Sequence, residues 1–130
     1  MKKAGILIAL LLALTLAPGC VTTKGEGTAA QSVTTLDRIS QSGQLVVGTA
    51  GSMPPMNMTT KDGEVIGLEM DIANQMAAAM GVKATFKTMP FADLLPALEA
   101  GKVDMVLSSM TITGKRNMKV AFVGPYFISG

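Results

Sequence analysis

Arg116 and the hydroxyl-bearing residues just before it are the side chains in this sequence best suited to binding chemistry. A guanidinium is planar and can donate two parallel hydrogen bonds to a carboxylate. Thr113 is a good N-cap residue for a short helix. Such a helix would place Arg116 in a first turn whose backbone N–H groups also favour an anion. The alternative is that Arg116 is a solvated helix residue beside Lys115 and Lys119.

The composition excludes several kinds of active site. The chain has no histidine, the commonest general base and metal ligand, and its single cysteine is Cys20. Catalytic triads, cysteine–histidine pairs and cysteine-rich zinc sites are therefore excluded, whereas enzymes built on carboxylates remain possible. We interpret Asp71 and Asp104 as structural, in the first turn of a helix and at the start of a strand. The sequence predicts no metal and no cofactor.

The first twenty residues predict an exported lipoprotein. Lys2 and Lys3 precede the apolar run Ile6–Leu16, and small residues follow before Cys20. This order is typical of a secretory signal. It resembles lipoprotein signals, in which the cysteine after the cleavage point is lipidated and anchors the protein. We predict a signal peptide at 1–19, a flexible tether at 20–35 and a folded domain at 36–130, held at a membrane in the periplasm or at the cell surface. A buried N-terminal helix is the alternative.

The charge balance argues against nucleic acid as a partner. Of the 11 basic residues, Lys2 and Lys3 lie in the predicted signal peptide, which leaves 11 − 2 = 9 against 9 acidic residues. A mature chain without net charge offers no basic patch of the kind that holds phosphate backbones.

Apolar spacing predicts an alternation of helices and strands from Leu36 onward. Thr35 and Asp93 are the expected N-caps of the first and third helices, and Gly43 is expected to end the first. The predicted helices cover Leu36–Ser42, Glu69–Met80, Asp93–Ala100 and Thr113–Met118, and the predicted strands cover Leu45–Val47, Val82–Phe86, Val103–Ser108 and Val120–Val123. This order specifies an α/β domain with a mostly parallel sheet flanked by helices. Ligands of such sheets lie beyond the carboxyl ends of the strands. A ligand is therefore expected near Thr49–Met56, Met89–Phe91 and Ser108–Arg116.

An ordered series of short motifs carries a family resemblance. The motifs are Gly43–Thr49, Pro54-Pro55, Asp62-Gly63, Gly67–Asp71, Pro96–Asp104, Ser108–Arg116 and Pro125-Tyr126. In this order and spacing they are similar to the family 3 extracellular solute-binding proteins, which serve amino-acid ABC importers. The resemblance implies a two-lobe periplasmic-binding-protein fold of type 2, with a ligand in the cleft. It also implies a monomer whose partners are an amino-acid-like solute and the membrane subunits of an ABC transporter. Gly130 falls near the crossing into the second lobe, so the chain is expected to be an incomplete first lobe.

The same resemblance implies which residues hold the polar ends of the ligand. Arg116 would receive the carboxylate of an amino acid, and Ser109 and Thr111 would form hydrogen bonds. Ser109 would act mainly through its backbone, with its carbonyl facing the ligand ammonium.

The wall around the ligand side chain is also assigned by resemblance. Phe91 would pack its ring on the ligand, although an ordinary core aromatic is the alternative. Ala50 stands where many relatives carry aspartate, so a ligand cation would lack a partner there. Met53 and Met56 replace common aromatic rings, and a soft wall favours a less polar or variable side chain.

Other functions remain open at this point. Met53, Met56 and Met58 form a thioether cluster of the kind that selects Cu(I), although gap-filling by methionine is the preferred interpretation. Some relatives in this family are dehydratases, so the fold does not exclude catalysis. The lobe could also be the sensor domain of a receptor. We nevertheless expect a binding protein and not an enzyme.

Overall fold

The computed structural model describes residues 34–128, and helices and strands alternate along them. The helices are α1 (Thr35–Ser42), α2 (Leu68–Ala79), α3 (Leu94–Glu99) and α4 (Gly114–Asn117), with a 3-10 turn at Phe91–Asp93 before α3. The strands are β1 (Gln44–Thr49), β2 (Ser52–Met53), β3 (Asn57–Thr59), β4 (Val65–Ile66), β5 (Lys83–Thr88) and β6 (Met105–Val106). The predicted signal peptide, Cys20 and most of the predicted tether lie outside the described residues. No helix within 34–128 is long and apolar enough to cross a membrane.

The strands form two small sheets. In the central sheet β1 lies between β5 and β6 and pairs with both in parallel, with Thr49 opposite Thr88 and Gly48 opposite Val106. The second sheet joins β2, β3 and β4 as an antiparallel meander, whose outer turn contains the predicted Asp62-Gly63 pair. The predicted α/β class with a parallel sheet flanked by helices is confirmed.

The first helix begins and ends as its sequence dictates. The Thr34 hydroxyl accepts a hydrogen bond from the Asp37 amide at 3.2 Å, and the Asp37 carboxylate accepts one from the Thr34 amide at 3.1 Å. This reciprocal pair is a capping box, so the N-cap is Thr34, one residue before the predicted Thr35. Gly43 ends the helix in the left-handed region at φ 67°, where glycine carries no steric penalty.

Helices cover both faces of the central sheet because successive residues of β1 point to opposite sides. On one face, α1 and α2 contribute to a cluster of buried side chains. Its members are Ile39, Leu45, Val47, Ala73, Ala77 and Leu107. On the other face, α3 packs closely over Gly48, where an added Cβ would lie 3.3 Å from Leu94 Cδ2 and 3.4 Å from Val103. Both faces of β1 are therefore covered, as its continuous apolar run predicts.

Three predicted elements differ from the structure. The predicted strand Val120–Val123 is wrong: these residues have no strand partner among those described, and Val123 is 94% exposed. The predicted strand Val103–Ser108 contracts to Met105–Val106. At its start, the Asp104 carboxylate accepts the Val46 N–H at 2.8 Å in place of a ladder bond. Asp93 has a helical conformation and its side chain caps nothing, since the 3-10 turn already starts the helix there.

Candidate ligand-binding site

The carboxyl ends of the three parallel strands bring the predicted ligand segments to one edge of the central sheet. Ala50 directly follows β1, Phe91 lies shortly beyond β5, and the segment Ser108–Arg116 follows β6. The Ala50 amide donates to the Ser108 hydroxyl at 3.0 Å, which ties the first and third segments together. The edge predicted from the order of elements is therefore assembled by direct contacts.

Arg116 is held in place by two of the residues predicted to accompany it. Its Nη1 donates to the Thr111 carbonyl oxygen at 2.9 Å, and its guanidinium carbon lies 5.5 Å from the centroid of the Phe91 ring. The ring face attracts the cation. The Arg116 side chain is half-buried and Phe91 is 37% exposed, so both still border solvent. A fixed guanidinium whose other N–H groups remain available to a ligand therefore lies at the carboxyl edge of the sheet.

The short helix α4 offers an anion fewer free backbone N–H groups than its sequence predicts. The Thr113 hydroxyl accepts the Arg116 amide at 3.3 Å, which confirms the predicted N-cap. That same contact occupies the amide, and α4 has only four residues. The guanidinium, and not the helix terminus, is therefore the group that an anion would meet.

An open depression of about 420 Å³ lies beside this guanidinium. It is lined by Leu95, Thr113, Lys115, Arg116 and Lys119. Lys119 Nζ is 3.9 Å from the Glu99 carboxylate, a loose and exposed pair that leaves the depression cationic overall. Its electrostatics favour the negative end of a solute.

Ser109 faces inward through two of its polar groups. Its amide and its hydroxyl donate to Glu69 Oε1 at 2.5 Å and 2.9 Å. Ser109 is also the one non-glycine residue with positive φ, 48°, within residues 34–128. The segment that leads to Thr111 and Arg116 therefore starts from a constrained residue bonded to a buried carboxylate.

The sequence did not indicate a binding-site role for Glu69. This side chain is fully buried, and it also accepts the Asn57 amide at 2.6 Å and the Tyr126 hydroxyl at 2.5 Å. Burial, and next the hydrogen bond to Glu69, raise the pKa of Tyr126 well above its ordinary value. The only sequence signal for Glu69 is its place in the Gly67–Asp71 motif, and that motif does not reveal that the side chain is buried.

A known protein family matches most of this chain. Residues 45–130 match the family described as bacterial extracellular solute-binding proteins, family 3. The chain belongs to this family.

Two curated relatives illustrate the match of this family 3 chain. It is 35% identical over 95 residues to the L-cystine-binding protein TcyJ of Escherichia coli, which covers 73% of this chain and 36% of that protein. It is 35% identical over 101 residues to the L-arginine-binding protein of Pseudomonas aeruginosa, covering 78% of this chain and 39% of that protein. The chain therefore spans well under half the length of these relatives.

Solved structures extend the likeness to the fold. The arginine-bound form of domain 1 from TmArgBP superposes with a TM-score of 0.67 at 37% identity, covering 70% of this chain and 72% of that domain. An ancestral cationic amino acid solute-binding protein gives a TM-score of 0.70 at 40% identity, covering 72% of this chain and 41% of that one. The described residues thus have the fold of one lobe of an amino-acid-binding protein.

Two of the three methionines in the predicted copper cluster of this family 3 lobe, Met53 and Met58, do not converge. In the β2–β3 pair, Met53 lies opposite Asn57, whereas Met58 lies opposite Ser52. Adjacent pairs face opposite sides of a ribbon, so the thioethers of Met53 and Met58 point apart. Met53 is tied to the site only indirectly, because its amide donates to Asn57 Oδ1 at 3.3 Å. The register argues against the copper alternative.

Proposed function

We propose that this chain binds an amino acid or a similar small zwitterion outside the cytoplasm for ABC-type import, and that Arg116 receives the ligand carboxylate. One observation carries the proposal. The guanidinium is fixed between the Thr111 carbonyl and the Phe91 ring while it remains open to solvent at the carboxyl edge of the sheet. Two relatives are named as binding proteins for L-cystine and L-arginine, and these names support an amino acid as the ligand class.

The remaining polar groups suit the rest of a zwitterion. The Ser109 amide and hydroxyl are directed toward Glu69, so the role of Ser109 at the ligand falls to its backbone carbonyl, an acceptor for an ammonium group. Ala50 and Met53 add apolar surface, which suits a ligand side chain that needs no buried ionic partner. We further propose, from the sequence alone, that Cys20 is lipidated and anchors the domain.

Binding by this chain alone is expected to be weak. Relatives of this lobe are more than twice its length, and a ligand enclosed on one side makes only part of its contacts. The arginine-bound form of an isolated domain 1 indicates that a single lobe can hold a ligand in that protein. We therefore expect a dissociation constant of about 1 mM, equivalent to about 4 kcal/mol.

Isothermal titration calorimetry with a panel of amino acids tests the proposal. L-arginine, L-histidine, L-cystine and L-methionine cover cationic, aromatic, sulfur-containing and apolar side chains. Binding by at least one member supports the proposal, and binding by none of them refutes it. Micromolar binding would support the ligand class but overturn the expectation that a second wall is needed.

A dehydratase is the second candidate, because an ancestral cyclohexadienyl dehydratase superposes with a TM-score of 0.67 at 35% identity over 71% of this chain. Catalysis would need a free acid or base at the site. Glu69 does not supply one, since its two oxygens already accept four hydrogen bonds from this chain. Turnover of prephenate or arogenate by the protein would decide in favour of the enzyme.

A further inference from the structure

A single buried carboxylate connects four separate parts of the described chain. Glu69, in the first turn of α2, accepts from Asn57 on β3, from the backbone and side chain of Ser109 after β6, and from Tyr126 near the end of the described residues. Three of these bonds converge on one atom, Oε1. Glu69 is therefore the hub of a network that includes the start of the proposed binding segment.

The position of the Glu69 carboxylate is fixed by the backbone around it. Gly67 has φ 131°, and a Cβ at this position would lie 2.4 Å from the Met56 carbonyl oxygen. The close approach lets the Glu69 amide donate to that oxygen at 3.0 Å, and the Leu68 amide donates to Pro55 at 3.3 Å. The first turn of α2 is thus bonded to the β2–β3 connection, which fixes the position of the Glu69 side chain.

The backbone conformation of Ser109 requires stabilising contacts of this kind. A left-handed conformation is sterically unfavourable for a non-glycine residue and persists only where the surroundings impose it. Both hydrogen bonds from Ser109 to Glu69 are made in this conformation. Thr111, whose carbonyl holds Arg116, follows two residues later, so the direction of the chain at Ser109 determines where the guanidinium is presented.

A buried carboxylate contributes little to stability by itself, because a buried charge loses its hydration. We propose that Glu69 is a positioning residue of the binding site, whose buried carboxylate fixes Ser109 and Tyr126 together and thereby sets the segment that carries Thr111 and Arg116. The proposal rests on the proposed function for its effect on ligand affinity. The network itself can be tested without ligand.

Tyr126 provides a selective reporter, because it is the only tyrosine of the chain and there is no tryptophan. The ultraviolet absorbance of its phenolate gives its titration directly in the full-length protein. Glu69→Gln should lower the pKa of Tyr126, since a charge-assisted hydrogen bond to the phenol is removed, although burial, the larger cause of the raised value, remains. Glu64→Gln, which neutralises an exposed carboxylate, serves as the matched control and should leave the titration unchanged.

The Ser109 amide gives a second ligand-free signature. An N–H that donates to a carboxylate should resonate downfield in a nitrogen–proton correlation spectrum, and the Ser109 amide donates to Glu69. Glu69→Gln should move that resonance upfield, whereas Glu64→Gln should not. If both the Tyr126 titration and the Ser109 resonance are unchanged in folded Glu69→Gln, the network does not exist and the proposal is overturned.

Affinity then tests the positioning role. With L-arginine, L-histidine and L-methionine titrated in parallel, Glu69→Gln should weaken whichever binds by about tenfold. Tyr126→Phe removes one of three bonds to Oε1 at a 45% exposed residue that should fold normally, and a loss of about threefold is expected. Wild-type affinity in both folded variants overturns the proposal. If the wild type binds none of the three, the proposed function fails at these probes and positioning for them fails with it, while the ligand-free signatures still decide whether Glu69 holds the network.

Discussion

Replacement of Arg116 by glutamine should remove most of the affinity for a carboxylate while leaving the fold intact. The side chain is half-buried, donates one hydrogen bond to a carbonyl and lies over one ring face. A paired, charge-assisted contact to a ligand is worth roughly 2–3 kcal/mol at a partly exposed site. The dissociation constant should therefore rise by about 30- to 150-fold.

The assay compares two ligands as well as two proteins. An NMR titration, which can follow binding weaker than millimolar, would measure the best-binding amino acid of the panel and its decarboxylated amine against wild type and Arg116→Gln. If the guanidinium receives the carboxylate, the substitution weakens the amino acid strongly and the amine little, because the amine lacks the group that Arg116 binds. Lys83→Gln makes the same charge change at the exposed start of β5, the opposite edge of the sheet, and should bind as wild type does.

Equal losses for the amino acid and its amine would refute this reasoning, because Arg116 would then act on something other than the carboxylate. Losses in Lys83→Gln as large as those in Arg116→Gln would refute it differently, since net charge and not geometry would be responsible. Thermal unfolding of each variant accompanies the titrations, so that a loss of fold is recognised as such.

The remaining predictions concern stability. Gly67→Ala should destabilise the protein by more than about 3 kcal/mol, because strain adds to a clash with backbone, whereas Gly63→Ala, at φ 85° with open space around it, should cost only about 1–2 kcal/mol; denaturant unfolding compares them. Leu94→Ala should cost about 2–5 kcal/mol in the same assay, since Leu94 is fully buried against the sheet. Hydrogen bonds from Thr34 lower the pKa of Asp37 below 3.8. The capping box therefore stabilises α1 above that pH and is lost as the pH falls through the lowered value, which a carboxyl-carbon NMR titration would follow.

Local signals were sufficient for elements whose boundaries depend on neighbouring residues. A threonine cap and a glycine stop lie within a few residues of α1, so both of its ends could be predicted to within one residue. The strand predicted at Val103–Ser108 starts too early, because the contact that delays its start joins Asp104 to Val46, 58 residues away. Val120–Val123 has strand composition but no strand beside it in the described structure, and composition alone cannot supply a partner.

The residues of the candidate site likewise fall into those that the sequence could predict and those that it could not. The segments around Phe91 and Arg116 were predicted to meet because parallel strands end at a common edge, and their contact is observed. Glu69 could not be found in this manner. Its partners lie 12, 40 and 57 residues away in sequence, and an isolated glutamate at a helix start usually indicates a favourable helix dipole and an exposed side chain.

The electrostatics of the described lobe also determine how a zwitterion would approach it. Arg116 and the neighbouring lysines make the depression cationic, while the carboxylate of Glu69 is already saturated by internal donors. A ligand ammonium therefore gains nothing from Glu69 and is repelled by the guanidinium, so the carboxylate must enter first. The ammonium and side chain would then point away from Arg116 and its neighbouring lysines. Affinity for the shared amino-acid backbone and discrimination among side chains would consequently reside in different residues, which is why Arg116 variants should weaken every member of a panel alike.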